Sequence, residues 1–149
     1  MKRSITPSVS IQFNGWNLVI PNGAVLEIVT TNWVGDIENG IGPTIDWRGN
    51  SLVCFCWQSF LTNNWQKHSE SSRAVVVVEP FSAEYGKKAY GLLCQEPPKQ
   101  FRIVKSRIQP FHHEAEAAAV CFLFDSNPHV VLAPDMFEKI SAQKISIRG

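Results

Sequence analysis

Hydrophobic and polar positions alternate in short runs along most of this chain. Val9 to Phe13, Trp16 to Ile20, Ala24 to Val29, Thr44 to Trp47 and Ser51 to Trp57 are followed by Arg73 to Val78, Ala89 to Cys94, Phe101 to Val104, Ala118 to Phe124 and Val130 to Ala133. These runs are rich in Val, Ile, Phe and Trp, side chains that suit a pleated, half-buried surface, and turn formers separate them. The pattern predicts about ten strands and an all-β fold, a barrel or a sandwich. Asn14-Gly15 lies between the first two runs. Both residues accept positive φ, so a two-residue hairpin is expected there, and Asn22-Gly23 punctuates the next pair. The period changes only near the other end. There Asp135 can cap a helix with Glu138 three residues on, while Met136, Phe137 and Ile140 supply an apolar face.

Two polar stretches interrupt the runs. Thr62 to Ser72 has no periodicity and many turn formers, and is expected to cross between two halves of the molecule. Ile108 to Ala117 carries His112, His113, Glu114 and Glu116. Neighbouring residues of an extended chain point apart and no partner motif accompanies them, so a solvated loop is expected rather than a metal site.

Composition narrows the picture. A chain of 149 residues fits one domain spanning 1–149, and 44% hydrophobic against 18% charged residues argues for an ordered core. Lys and Arg number 14 against 13 Asp and Glu, with neither sign concentrated, so no footprint for nucleic acid or an anionic membrane is visible. Ser4, Thr6, Ser8 and Ser10 break any apolar run at the amino terminus. Neither a secretory leader nor membrane insertion is expected, and the expected location is cytoplasmic.

The candidate chemistry is sparse. Cys54, Cys56, Cys94 and Cys121 lie inside apolar segments, where they read as reduced core residues. Cys54 and Cys56 would share a strand face and make half of a thiolate site, but no second pair completes it, so no metal and no cofactor is expected. Phosphate-cradling, metalloprotease and nucleophile-elbow patterns do not occur, and Gly86-Lys87-Lys88 lacks the glycine-rich loop a phosphate needs. Thiols in apolar surroundings are poor nucleophiles. A non-enzyme is therefore expected. The rival from another class is a small β-barrel metal- or thiol-dependent protein using Cys54, Cys56, Cys94 or His113, and a metal analysis of the purified protein separates the two.

The most informative stretch is Ile45 to Gly49, IDWRG. Taken alone it describes a turn at Gly49 with the Arg48 stem lying on Trp47. Together with LVIPNGAVLEIV before it, SLVCFCWQSFL after it, and then RAVVVV and KAYGLLCQEPPKQFRI, the order of elements resembles the CheW-like family of chemosensory adaptors from about Ile11 to Ile140. Ile20, Pro21, Val25, Glu27 and Ile28 fill that family's IP..V.EI strand; Gly42, Ile45, Asp46, Trp47, Arg48 and Gly49 fill its RG segment. YGLLCQEPPKQFRI resembles a later strand pair of the family, and VVLAPDMFEKI its closing strand and helix. The DWRG variant is similar to the ChpC-like branch of type IV pilus and twitching systems. Val53 and Cys56 depart from the family, standing where it usually has a proline and an acidic residue, and Thr31 to Gly40 lacks a usual proline.

The resemblance implies two intertwined SH3-like five-stranded β-barrels with a hydrophobic seam and a short C-terminal helix. The lobes would be approximately 15–80 and 81–141, the latter plus the N-terminal strand. It implies an adaptor without an active site that couples the cytoplasmic tip of a chemoreceptor to the regulatory domain of a CheA-type histidine kinase. A variant of this reading is a module that binds the kinase only. Trp47, Arg48 and Gly49 match the family's receptor-facing motif, and Val25 and Glu27 match positions near its kinase or partner surface.

Overall fold

Two-residue hairpins set the local geometry. Asn14-Gly15, Asn39-Gly40, Arg48-Gly49 and Asp125-Ser126 are all pairs of consecutive residues with positive φ, the backbone that joins twisted antiparallel strands most tightly. The computed structural model describes residues 8–81 and 88–148. The first residues of the amino-terminal stretch and Gly86-Lys87 lie outside it.

The strands are β1 (Ser8–Phe13), β2 (Trp16–Pro21), β3 (Val25–Ile37), β4 (Ile41–Trp47), β5 (Asn50–Phe55), β6 (His68–Val78), β7 (Tyr90–Cys94), β8 (Lys99–Phe101), β9 (Ile108–Pro110), β10 (Ala118–Phe124) and β11 (Asn127–Leu132). They form a five-stranded sheet in the order β3-β6-β7-β5-β4 and a six-stranded sheet in the order β8-β1-β2-β11-β10-β9. Each contains one parallel pairing, β5 with β7 and β11 with β2. The chain begins in the six-stranded sheet, builds the whole five-stranded sheet, and returns to complete the first.

The all-β expectation and the C-terminal helix hold, with corrections of detail. The second sheet has six strands rather than five. Its partition also differs from lobes of 15–80 and 81–141: β2 belongs with the C-terminal strands, because it pairs with both β1 and β11, while β7 lies between β5 and β6. Thr62 to Ser72 does not cross between lobes. Its second half is already β6, whose residues from His68 to Ser72 pair with β3. The run Ser51 to Trp57 ends as a strand at Phe55, where the Cys56 N–H is taken by the Gly40 carbonyl at 2.9 Å, and a short helix α1 (Trp57–Thr62) follows. A continuous apolar run carries no period that distinguishes strand from helix.

Helix α2 (Pro134–Arg148) starts one residue before the expected cap. The Phe137 N–H bonds the Ala133 carbonyl at 2.9 Å, leaving Pro134 in the first turn, where its missing N–H costs nothing. Phe137 is buried against Phe60, Phe55 and Tyr90, with ring centroids 4.4, 5.8 and 5.9 Å away. This cluster seats the helix on the five-stranded sheet.

Alternation along the strands divides the core. Val9, Ile11 and Phe13 of β1, Leu18 and Ile20 of β2 and Val130 of β11 are buried in one continuous cluster with Val75 to Val78, Leu92, Leu93, Trp57 and Phe137. This is the seam joining the sheets. Val19, Phe122 and Phe124 form a separate small cluster on the other side of the six-stranded sheet. Among the described residues no helix is long and apolar enough to cross a membrane.

Candidate protein-binding site

The turn between β4 and β5 gathers three of the residues singled out by sequence. Trp47 pairs with Asn50 across it, and Arg48 and Gly49 occupy its two corners at φ 51° and 78°. Glycine takes the left-handed region without cost, but an arginine there sacrifices roughly 1 kcal/mol of backbone preference. The guanidinium lies over the Trp47 ring, 4.6 Å from its centroid, and its Nη2 donates to Glu27 Oε1 at 3.0 Å. The Trp47 indole N–H donates to the same oxygen at 3.3 Å. Glu27 stands on β3, so this trio ties one edge strand of the five-stranded sheet to the turn leaving the other.

The trio is a display more than a clamp. The Arg48 and Glu27 side chains keep 64% and 42% of their surface exposed, and exposed ion pairs contribute at most about 1 kcal/mol. The stacked, half-paired guanidinium keeps further N–H donors pointing outward in a fixed plane, suited to a carboxylate or carbonyl on another protein. Gly49 has open space around it and serves the turn.

Val25 is not part of this group. A bulge in β3 pairs Val25 with Val78 but Glu27 with Val77. Val25 is half-buried and packs against the core, whereas the Glu27 carboxylate is taken up by Trp47 and Arg48. The structure therefore joins Glu27 to Arg48 and separates it from Val25. On the same strand Leu26, Ile28 and Val34 expose 42%, 45% and 77% of their surface. The thirteen-residue alternation of β3 contained that signal, although only its first residues read as a strand from sequence.

A second feature was not anticipated. Glu138 of α2, expected in a capping box, is buried at the seam, where its Oε2 accepts from the Tyr90 hydroxyl at 2.8 Å and the Phe81 N–H at 2.7 Å. Burial, then the neighbouring Glu138 carboxylate, raises the Tyr90 phenol above its ordinary value, so Tyr90 remains a donor. Beside this network a largely apolar groove of about 420 Å³ runs between the sheets, lined in part by Leu18, Ile20, Ala24, Pro80 and Leu132.

The candidate metal and thiol residues do not assemble. Cys54, Cys56 and Cys94 are buried, and among the described residues no group of three metal-ligating side chains converges. Burial pushes the Cys54 and Cys94 thiols up to about 12 and raises those of Cys56 and Cys121. That shift is opposite to the one a nucleophilic thiolate requires. Cys56 does not share a strand with Cys54, because it precedes α1. The loop reading of His112 and His113 needs dividing: His112 is exposed, whereas His113 packs 4.9 Å from Trp16 and its Nε2 donates to the Leu61 carbonyl at 2.6 Å. A carbonyl can only accept, so this histidine is a structural donor.

Comparison with known proteins places these features in context. The model of the CheW-like domain matches residues 8–142. Among solved structures the chain is similar to the scaffolding protein TtCheW from Thermoanaerobacter tengcongensis, with a TM-score of 0.64 and 12% identity over 91% of this chain and 90% of that one. At that identity the likeness speaks for the fold. No curated protein matches the chain.

Proposed function

The chain belongs to the CheW-like domain family, and from that premise we propose that it is a non-catalytic, cytoplasmic adaptor of a chemosensory system, holding a chemoreceptor tip and a CheA-type histidine kinase in register. The observation that carries the site is Arg48: an arginine at positive φ on an exposed turn, stacked on Trp47 and paired with Glu27. Local backbone preference opposes that choice, and little stability is returned for it, so a binding role is the better explanation. We assign Trp47, Arg48 and Gly49 to receptor contact and Glu27 to the adjoining kinase contact, with Val25, packed against the core on the same strand, as a separate candidate for that surface. The DWRG sequence, Asp46 to Gly49, favours a twitching or type IV pilus system as the output.

Because Glu27 touches Arg48, the two contacts are coupled rather than remote. Calorimetric titration of the protein against a receptor cytoplasmic fragment, and separately against a kinase regulatory domain, tests this. Arg48→Ala is expected to weaken receptor binding by about 1–2 kcal/mol. Arg48→Gly, which relieves the turn, should weaken it equally. Glu27→Ala frees the guanidinium and should lower both affinities, with a non-additive double variant. Unchanged receptor affinity in Arg48→Ala and Arg48→Gly removes Arg48 from the site.

A further inference from the structure

Strand register separates two faces of the six-stranded sheet. One supplies the seam. On the other, cross-strand partners place Ser10 beside Val19, Gln12 beside Asn17, Asn17 beside His129 and His129 beside Phe122, and partners directly opposite share a face. The interior of this lobe is therefore half polar. It opens into a cavity of about 410 Å³ lined by polar Ser10, Gln12 and Asn17, by Phe101, Phe124 and His129, and by the charged Glu96, Lys99 and Asp125.

His129 is 6% exposed, among Phe122, Phe101 and Phe124 at centroid distances of 5.5, 5.3 and 5.6 Å. Its Nδ1 lies 2.9 Å from the Asn127 carbonyl and must be the protonated nitrogen, since that oxygen only accepts. In the neutral ring Nε2 is then a bare acceptor, and it has no hydrogen-bond partner among the described residues. Burial lowers the His129 pKa below its ordinary value, with the Asn127 carbonyl and Asp125 acting against that shift, so the neutral ring is the form present near neutrality. The Asn17 amide donates to the Pro128 carbonyl at 3.1 Å, which leaves its oxygen as a further acceptor. A cavity that combines polar side chains with the rings of Phe101 and Phe124 and an imidazole acceptor open to it suits a flat molecule that brings a donor.

We propose that the mouth of the six-stranded lobe is a small-molecule site, taking a neutral planar ring that presents an O–H or N–H to His129 Nε2 and lies against Phe101 and Phe124. The site is distant in the fold from the Arg48 turn and does not depend on the adaptor reading. Phenol is a suitable probe and anisole, the same ring without the donor, its control. In the full-length protein labelled with ¹⁵N and ¹³C at histidine, phenol is expected to shift the His129 ring resonances saturably, with anisole weaker by roughly tenfold, the usual cost of leaving one buried polar group unanswered. His129→Phe should keep the cooperative melt and lose the preference for phenol over anisole. Ser10→Leu, which fills the mouth from β1 without touching the imidazole, should abolish both interactions. Equal affinity for the two probes in the wild type, or phenol binding that survives in Ser10→Leu, overturns the proposal.

Discussion

The two lobes solve the same closure problem with different interiors. Inside the five-stranded sheet Leu52, Cys54, Val75, Val77 and Leu93 are each 2% exposed or less, and Gly91 is so closely surrounded that an added Cβ would lie 2.5 Å from Val75 and 2.8 Å from Cys54. Inside the six-stranded sheet the corresponding positions include Ser10, Gln12, Asn17 and His129 around an open cavity. One lobe is closely filled by apolar side chains, and the other keeps an open, partly polar cavity. Stability therefore resides in the first lobe and the seam, which leaves the second free to vary its interior.

Matched substitutions test this contrast most severely. Val77→Ala should cost about 2–3 kcal/mol in denaturant unfolding, whereas Val19→Ala, next to the open lobe, should cost about 1 kcal/mol. Equal losses would end the contrast. Overfilling should separate the lobes again. Gly91→Ala is expected to destabilise by about 1–3 kcal/mol, since Val75 and Cys54 have nowhere to go, while Ser10→Leu should leave the melt within about 0.5 kcal/mol of wild type. Cys54→Ala removes one small buried group and should lose about 1–2 kcal/mol without changing metal content, which elemental analysis of the purified protein would check.

Smaller effects sharpen the picture. The folded His129 holds its proton less tightly than the unfolded chain does, because burial lowers its pKa. Unfolded protein therefore binds more protons as pH falls below about 6.5, the ordinary histidine value, and stability falls with it until the lower folded pKa is passed. In His129→Phe that slope should flatten in pH-dependent chemical denaturation. Smallest of all, Arg48→Ala should change the melting free energy by no more than about 0.5 kcal/mol, because its ion pair is solvent-screened. A larger loss would make the Arg48 turn a structural element of the first lobe.

Much of the fold was legible locally. Asn14-Gly15 is a hairpin in sequence and in structure because both residues accept positive φ, and the run Ala118 to Phe124 coincides with β10 because branched and aromatic side chains favour a pleated surface. The Arg48 turn was legible as a motif. Its pairing with Glu27, 21 residues away, was not. Nor was the bulge between Val25 and Glu27, since bulges depend on the partner strand.

The sequence by itself determined the all-β character, the hairpins, the C-terminal helix, the buried thiols and the motif order that signals the CheW-like family. These follow from periodicity and backbone preference within a few residues. Tertiary structure alone decided that β2 joins the C-terminal strands, that Glu138 leaves its capping position for a buried bond to Tyr90, and that His129 faces a cavity with one nitrogen unanswered. Each of these depends on which distant strands pair, and pairing is set by how the whole chain buries its apolar faces at once, a long-range balance that no local window contains.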